Sequence, residues 1–108
     1  MTPAERQAGM TVDSIIGAVA AEFGVSARAI LGRGCTGDRL VARHAVMYVA
    51  ATRTTIPLAF IGACLGGRDH TTVMNGMERT AWRVDVDPGL AEKIDNVERR
   101  LVVARRAA

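Results

Sequence analysis

Two adjacent glycines at 66–67 constrain the fold of this chain more than any other feature. Glycine adopts positive φ at little cost, so the pair predicts a tight turn between two closely approaching segments. Asp69 follows as a good helix N-cap, and its charge would lie at the positive end of the helix dipole. The next three side chains, from His70, Thr71 and Thr72, are polar rather than apolar. The pattern predicts a sharp corner that leads into a capped helix with a polar first turn.

The composition favours an all-α fold. The chain has 108 residues, which suits one domain, and 49% of them are hydrophobic, although only four are aromatic. A core built from Ala, Val, Ile, Leu and Met favours packed helices over a sheet, because strands prefer aromatic and β-branched residues. We therefore expect a flexible N-terminal segment over residues 1–10 and a single helical domain over 11–106.

Apolar residues at helical spacing, together with polar capping residues, predict about six helices. The expected helices cover 12–23, 26–31, 39–53, 57–65, 69–83 and 88–106, with Thr11, Asp38, Asp69 and Asp87 as caps. In the fifth helix the expected core stripe is Val73, Met77 and Ala81, and residues 84–87 form a connector. The helices at 57–65 and 69–83, joined by the glycine turn, make a helix-turn-helix candidate.

The positive charge of the chain is concentrated in its middle. Residues 33–83 carry seven arginines and three carboxylates, a net charge of +4, whereas the whole chain carries +3. Thirteen of the fourteen basic residues are arginine, a bias that the codon usage of a GC-rich genome would also produce. Arginine is nevertheless the better group for bidentate contacts with phosphate and guanine. A basic middle segment is what phosphate contacts require.

Several function classes find no support in the sequence. Cys35 and Cys64 form no CxxC pair and lack the ligand spacing of a zinc site. No apolar run approaches the ~20 residues of a membrane span, and residues 1–10 do not resemble a signal peptide. A catalytic triad and a phosphate-binding loop are also missing. We expect a cytoplasmic, non-enzymatic protein without cofactor, metal or nucleotide.

The segment from Ile61 to Val73, which contains the string GGRDHTTV, resembles the signature of the C-terminal DNA-binding domain of the bacterial replication initiator DnaA. Weaker similarity is present at 11–15 and 40–48, and the last helix fits in length. The resemblance implies a helical domain related to the Trp-repressor type of helix-turn-helix. It also implies sequence-specific binding of double-stranded DNA at a short, asymmetric DnaA-box-like site.

The resemblance implies roles for residues of the glycine turn and the helix after it. Base edges would be read by Asp69, His70, Thr71 and Thr72, with Val73 near a thymine methyl and Arg68 at the entrance of the helix. From the residues alone we add Asn75, because asparagine can pair bidentately with adenine. The alternative for His70 is a partly buried capping role, and for Thr71 and Asn75 a solvated face.

Backbone contacts are expected around this helix, and one family feature is missing. The resemblance places Arg43 and the 54–57 turn, with Thr54 and Thr55, near the DNA backbone. The family's minor-groove arginine aligns with Cys35, so only Arg33 and Arg39 remain near that position. Ala51 aligns with a basic residue of the family, for which Arg53 is the candidate substitute. These positions complete the expected DNA-binding set.

Two functions remain open at this point. The first is a small transcription or replication regulator that binds DNA but has no ATPase activity. The second is a protein–protein interaction module that keeps the fold and binds a replication or transcription partner, or another copy of itself. Trp82 is relevant to the second, because it would either pack against the last helix or be exposed for a partner.

Overall fold

Six α-helices make up the described part of the chain. The computed structural model describes residues 10–107, with side chains through residue 104, so most of the expected flexible segment 1–10 lies outside it. The helices are α1 (Val12–Phe23), α2 (Ala27–Leu31), α3 (Gly37–Arg53), α4 (Leu58–Cys64), α5 (His70–Val86) and α6 (Pro88–Ala107). The predicted all-α class is confirmed.

Three of the four predicted N-caps are confirmed, and Ser26, predicted as the first residue of its helix, is a cap as well. Thr11, Ser26, Asp69 and Asp87 each accept a hydrogen bond from the backbone N–H three residues ahead, at 2.9–3.2 Å. Each bond satisfies one of the backbone donors that a helix leaves without an internal partner in its first turn. Gly24 ends α1 with a φ of 68°. Local capping chemistry therefore fixes where four of the helices begin.

Several predicted helix boundaries are wrong. α3 begins at Gly37, so Asp38 lies inside its first turn instead of capping it, and Thr36 occupies the cap position without a side-chain bond. Pro57 is the residue before α4 rather than its first residue. α5 continues through the predicted 84–87 connector to Val86, because Val84 packs against the core and keeps that turn helical.

The core combines buried residues from every helix. On α6 the predicted stripe is confirmed, since Leu90, Ile94, Val97 and Leu101 are all buried. On α5 the predicted stripe is wrong beyond Val73. The buried residues there are Val73, Gly76 and Thr80, whereas Met77 is half-buried and Ala81 is exposed. α5 therefore packs through a narrow face of small side chains, which lets it lie close to α3.

The corner between α4 and α5 is rigid. Gly66 and Gly67 have φ values of 80° and 77°, and the Arg68 N–H donates to the Gly62 carbonyl at 2.8 Å. A Cβ at Gly62 would lie 2.0 Å from the Arg68 carbonyl oxygen, so only glycine permits this approach. The predicted glycine turn is confirmed, and it fixes the direction in which α5 leaves the corner.

Candidate nucleic-acid interface

The first turn of α5 is the most exposed polar surface that the corner presents. His70, Thr71, Thr72 and Asn75 are all exposed, and their side chains can donate or accept hydrogen bonds. Exposure of His70 disagrees with the alternative of a partly buried capping histidine. In a helix-turn-helix, the start of the second helix is the part that enters the major groove. The geometry is suited to reading base edges.

Val73 cannot take the role that the resemblance implies. Its side chain is fully buried, and one of its methyl carbons would lie 3.2 Å from a Cβ at Gly62. The residue therefore packs α5 against α4. A contact between Val73 and a thymine methyl is not available in this structure, and we remove Val73 from the candidate interface.

Asp69 acts first as a helix cap. Its carboxylate accepts from the Thr72 backbone N–H at 2.9 Å, and this bond lowers the pKa of Asp69 below its usual range. A carboxylate that is charged at neutral pH therefore lies at the entrance of α5. Such a group can accept a hydrogen bond from the N4 amino group of cytosine.

Arg68 connects the corner to the loop before α3. One guanidinium nitrogen donates to the Leu65 carbonyl and the other donates to the Gly32 carbonyl at 2.7 Å. The side chain is half-buried, so part of it faces solvent beside the first turn of α5. In this conformation Arg68 stabilises the corner, and it would reach DNA only by releasing these carbonyls.

Arg43 is an interior residue, which corrects the expected backbone contact. The residue is only 2% exposed, and its guanidinium donates to the carbonyls of Ala29, Ile30 and Gly32 at 3.2, 2.6 and 2.8 Å. Burial, followed by the charge of Arg68, lowers the pKa of Arg43. The hydrogen-bonding capacity of Arg43 is directed at the protein backbone, so we do not assign it to a phosphate.

Arg33 and Arg39 lie on the surface around the loop between α2 and α3. Both are exposed, and so is Cys35 between them. A Cβ at Gly34 would lie 2.4 Å from a guanidinium nitrogen of Arg39, so the Arg39 side chain lies across the loop. Two cations thus flank Cys35, the position to which the resemblance assigns the family's minor-groove arginine.

The residues at the end of α3 have structural partners. Arg53 forms a 2.7 Å ion pair with Glu98 on α6, and this hydrogen bond raises the pKa of Arg53. The Thr54 hydroxyl donates to the Ala50 carbonyl and accepts from the Ile56 N–H, which ends the helix. Thr55 is exposed in the following turn. The expected use of Arg53 as a substitute phosphate ligand would require it to leave Glu98.

A groove between α3 and α5 was not predicted. It has a volume of about 600 Å³ and is lined by apolar Leu40, Val41 and Trp82 together with His44 and Arg79. Trp82 is 66% exposed, so it does not pack into the core. Burial, and then the nearby positive charges of Arg79 and other arginines, lower the pKa of His44. The only sequence signal for this groove was an aromatic residue on the outer face of α5.

Within the described residues, no three His, Cys, Asp or Glu side chains come together as a metal site would require. None of the helices in residues 10–107 combines the length and the apolar character needed to cross a membrane.

Comparison with known proteins agrees with this geometry. Residues 12–79 match the model of the bacterial DnaA protein helix-turn-helix family. Chromosomal replication initiator proteins DnaA from Roseiflexus castenholzii and Herpetosiphon aurantiacus are 36% and 38% identical over 97 and 96 residues, about 90% of this chain. The protein of the same name from Oenococcus oeni is 35% identical over 96 residues. The chain spans about a fifth of the length of these relatives. This chain therefore belongs to the family of the DnaA helix-turn-helix domain, a DNA-binding domain.

Proposed function

We propose that this protein binds double-stranded DNA sequence-specifically, at a short DnaA-box-like site, through the first turn of α5. The observation that carries the proposal is the set of exposed polar side chains His70, Thr71 and Thr72, held at the end of a rigid corner. Asp69 and Asn75 extend this set. Histidine and threonine read base edges, and the threonine methyl can contact thymine.

Phosphate contacts would come from the exposed arginines near this turn. Arg33 and Arg39 are the strongest candidates because both side chains are exposed beside the α2–α3 loop. Arg68, which keeps its carbonyl partners, would add positive charge beside them. Binding that depends on these charges weakens as salt concentration rises, since counterions are released from the DNA.

The physiological role that we propose is regulatory. A domain of this kind can occupy initiator-type boxes and so modulate replication or transcription. The residues assigned here bind and orient DNA, and none of them is assigned a catalytic step, an ATPase step or a bound nucleotide. We place the protein in the cytoplasm, where its DNA target would be.

Fluorescence anisotropy with labelled duplexes tests the proposal. The protein is titrated into a labelled initiator-type box and into a labelled scrambled duplex, at two salt concentrations. Thr71→Ala should lower the preference for the box by about 1–3 kcal/mol, the usual contribution of one good base contact. Thr52→Ala makes the same change at an exposed position on α3 and should leave the preference unchanged. Equal binding to both duplexes that ignores Thr71→Ala would refute sequence-specific readout by α5.

A second candidate function is binding of a protein partner or another copy of the chain. The exposed Trp82, next to Arg79 and Arg83 in the α3–α5 groove, favours it because Trp and Arg are enriched at protein interfaces. Trp82→Ala separates the two functions. The variant should retain DNA affinity if α5 reads DNA through its first turn, and it should lose partner binding if the groove is the functional surface.

A further inference from the structure

The carbonyl oxygen of Gly32 accepts hydrogen bonds from two arginines that come from different parts of the fold. Arg43 reaches it from the middle of α3, with its Nη2 at 2.8 Å. Arg68 reaches it from the corner before α5, with its Nη2 at 2.7 Å. A charged donor gives a stronger hydrogen bond than a neutral one. One backbone atom therefore joins the α2–α3 loop to both α3 and the helix-turn-helix corner.

Arg43 holds the loop from the inside. Its guanidinium also donates to the Ile30 and Ala29 carbonyls at 2.6 and 3.2 Å, so the last turn of α2 and the start of the loop share one donor group. These carbonyls are among those that a helix C-terminus leaves without an internal partner. Because Arg43 is buried, water cannot take the place of its guanidinium N–H groups on these carbonyls unless the structure opens.

The corner meets the loop from the other side. A Cβ at Gly66 would lie 2.7 Å from the Leu31 carbonyl oxygen, which shows how closely the two backbones approach. Arg68 spans this contact, since it donates to Leu65 in the corner and to Gly32 in the loop. The loop and the first turn of α5 are thus linked by hydrogen bonds and by packing.

We propose that Arg43 and Arg68 form a two-arginine lock on the Gly32 carbonyl, which holds the loop 32–36 in a fixed position relative to the first turn of α5. Arg43 is then a positioning residue for DNA binding, a part of the inference that rests on the proposed function. The loop carries Arg33 and Cys35, and α5 carries the base-reading set. The lock makes the two parts one preorganised surface, which lowers the ordering cost of binding.

Arg43→Lys separates geometry from charge. Lysine keeps the positive charge but has a single ammonium group, so it cannot donate in a planar fork to three carbonyls. If Arg43 supplies only charge, the substitution changes little. If Arg43 positions the loop, the substitution releases it. Arg28→Lys, at an exposed position on neighbouring α2, is the matched control.

A spin label on the exposed Cys35 measures the loop directly, in a Cys64→Ala background that leaves one thiol. In the free protein we expect a restricted label for the parent and for Arg28→Lys, and a mobile label for Arg43→Lys. Arg68→Lys should mobilise the label as well, because it removes the second donor from Gly32. Circular dichroism at the same temperature confirms that each variant is folded. An unchanged spectrum in both lock variants would overturn the lock, whatever the protein does with DNA.

The DNA measurement tests the positioning role separately. The dissociation constant for the initiator-type box should rise about tenfold in Arg43→Lys, because a tenfold change corresponds to the free energy of about one charge-assisted hydrogen bond. It should stay unchanged in Arg28→Lys. A mobile label with unchanged affinity would overturn the positioning role but keep the lock. If the parent itself does not prefer the box, the proposed function and the positioning role both fail, while the label still decides whether the lock exists. If Arg43→Lys does not fold, Arg68→Lys decides both points: lysine keeps the positive charge that Arg68 would offer to DNA, so a mobile label together with weaker binding reports the lost geometry rather than lost charge.

Discussion

Gly62→Ala should test the geometry of the corner more directly than any other single change. Gly62 lies inside α4, and a Cβ built there would be 2.0 Å from the Arg68 carbonyl oxygen and 2.9 Å from the Arg68 carbonyl carbon. Ordinary contacts of such a carbon begin near 3.4 Å, so the backbone of the corner would have to retreat by more than 1 Å. Backbone cannot rotate away as a flexible side chain can.

The expected cost follows from two opposing effects. Overpacking at a rigid site costs about 1–3 kcal/mol, and the backbone contact places Gly62 at the upper end of that range. Replacing glycine by alanine in a helix returns about 1 kcal/mol through helix propensity. The net loss in the free energy of unfolding is therefore about 2 kcal/mol. For a domain of this size, that corresponds to a fall of about 8–16 °C in Tm.

Gly17→Ala is the matched control. Gly17 also lies inside a helix, α1, but a Cβ there would meet nothing within 4 Å. Only the propensity gain applies, so Gly17→Ala should stabilise the protein by about 0.5–1 kcal/mol. Urea unfolding followed by circular dichroism measures both variants. A Gly62→Ala protein as stable as the parent would show that the corner is not as tightly packed as described, and the argument would be refuted.

Two further predictions concern charged and titrating groups. His44 has a lowered pKa in the folded state, so the unfolded chain takes up a proton first, and stability should fall as pH drops below the ordinary histidine value of 6.5. His44→Gln should flatten the dependence of urea midpoint on pH between 5 and 7, and an unchanged slope would contradict this assignment. Arg53→Gln removes the ion pair with Glu98 and should cost less than about 1 kcal/mol, because the pair is partly exposed. Its affinity for DNA, measured by anisotropy, should match that of the parent; a large loss would show that Arg53 leaves Glu98 to bind DNA.

Many elements of the fold can be predicted from short local sequence patterns. The caps at Thr11, Ser26, Asp69 and Asp87 depend on bonds between residues three apart, so they are readable without knowledge of tertiary structure. The α6 stripe is readable because its members are strongly apolar. The Gly66–Gly67 turn is readable because few other residues adopt positive φ.

The packing of α5 is different because its buried face carries little hydrophobic signal. Gly76 and Thr80 are buried, but neither contributes to an apolar periodicity, so the sequence pattern favours Met77 and Ala81 as core residues. The true face is set by the close approach of α3, where a Cβ at Gly76 would lie 2.3 Å from the Met47 sulfur. Such a contact depends on residues about 30 positions apart and cannot be read from local spacing.

Some residues of the candidate site could likewise be placed from the sequence, and others could not. Exposure of Thr71 and Asn75 follows from their position opposite Val73 on α5, and the sequence predicted it, whereas for His70 the residues alone left a partly buried capping role open. The interior position of Arg43 could not be predicted, because arginine is rarely buried and its partners are backbone carbonyls with no sequence signature. Val73 was misassigned because a motif records position in the chain and not the direction of the side chain.

The buried face and the exposed face of α5 carry different residues, and this separation affects how such a protein can evolve. Residues that hold the helix in place, Val73, Gly76 and Thr80, are buried, whereas His70, Thr71 and Asn75 are exposed. Substitutions at exposed positions away from caps usually change stability by less than about 0.5 kcal/mol. Under the proposed readout by α5, a new DNA preference can therefore be reached through single replacements that leave the protein folded. The proposed base contacts could then be changed one at a time, in evolution or in the laboratory, on the same scaffold.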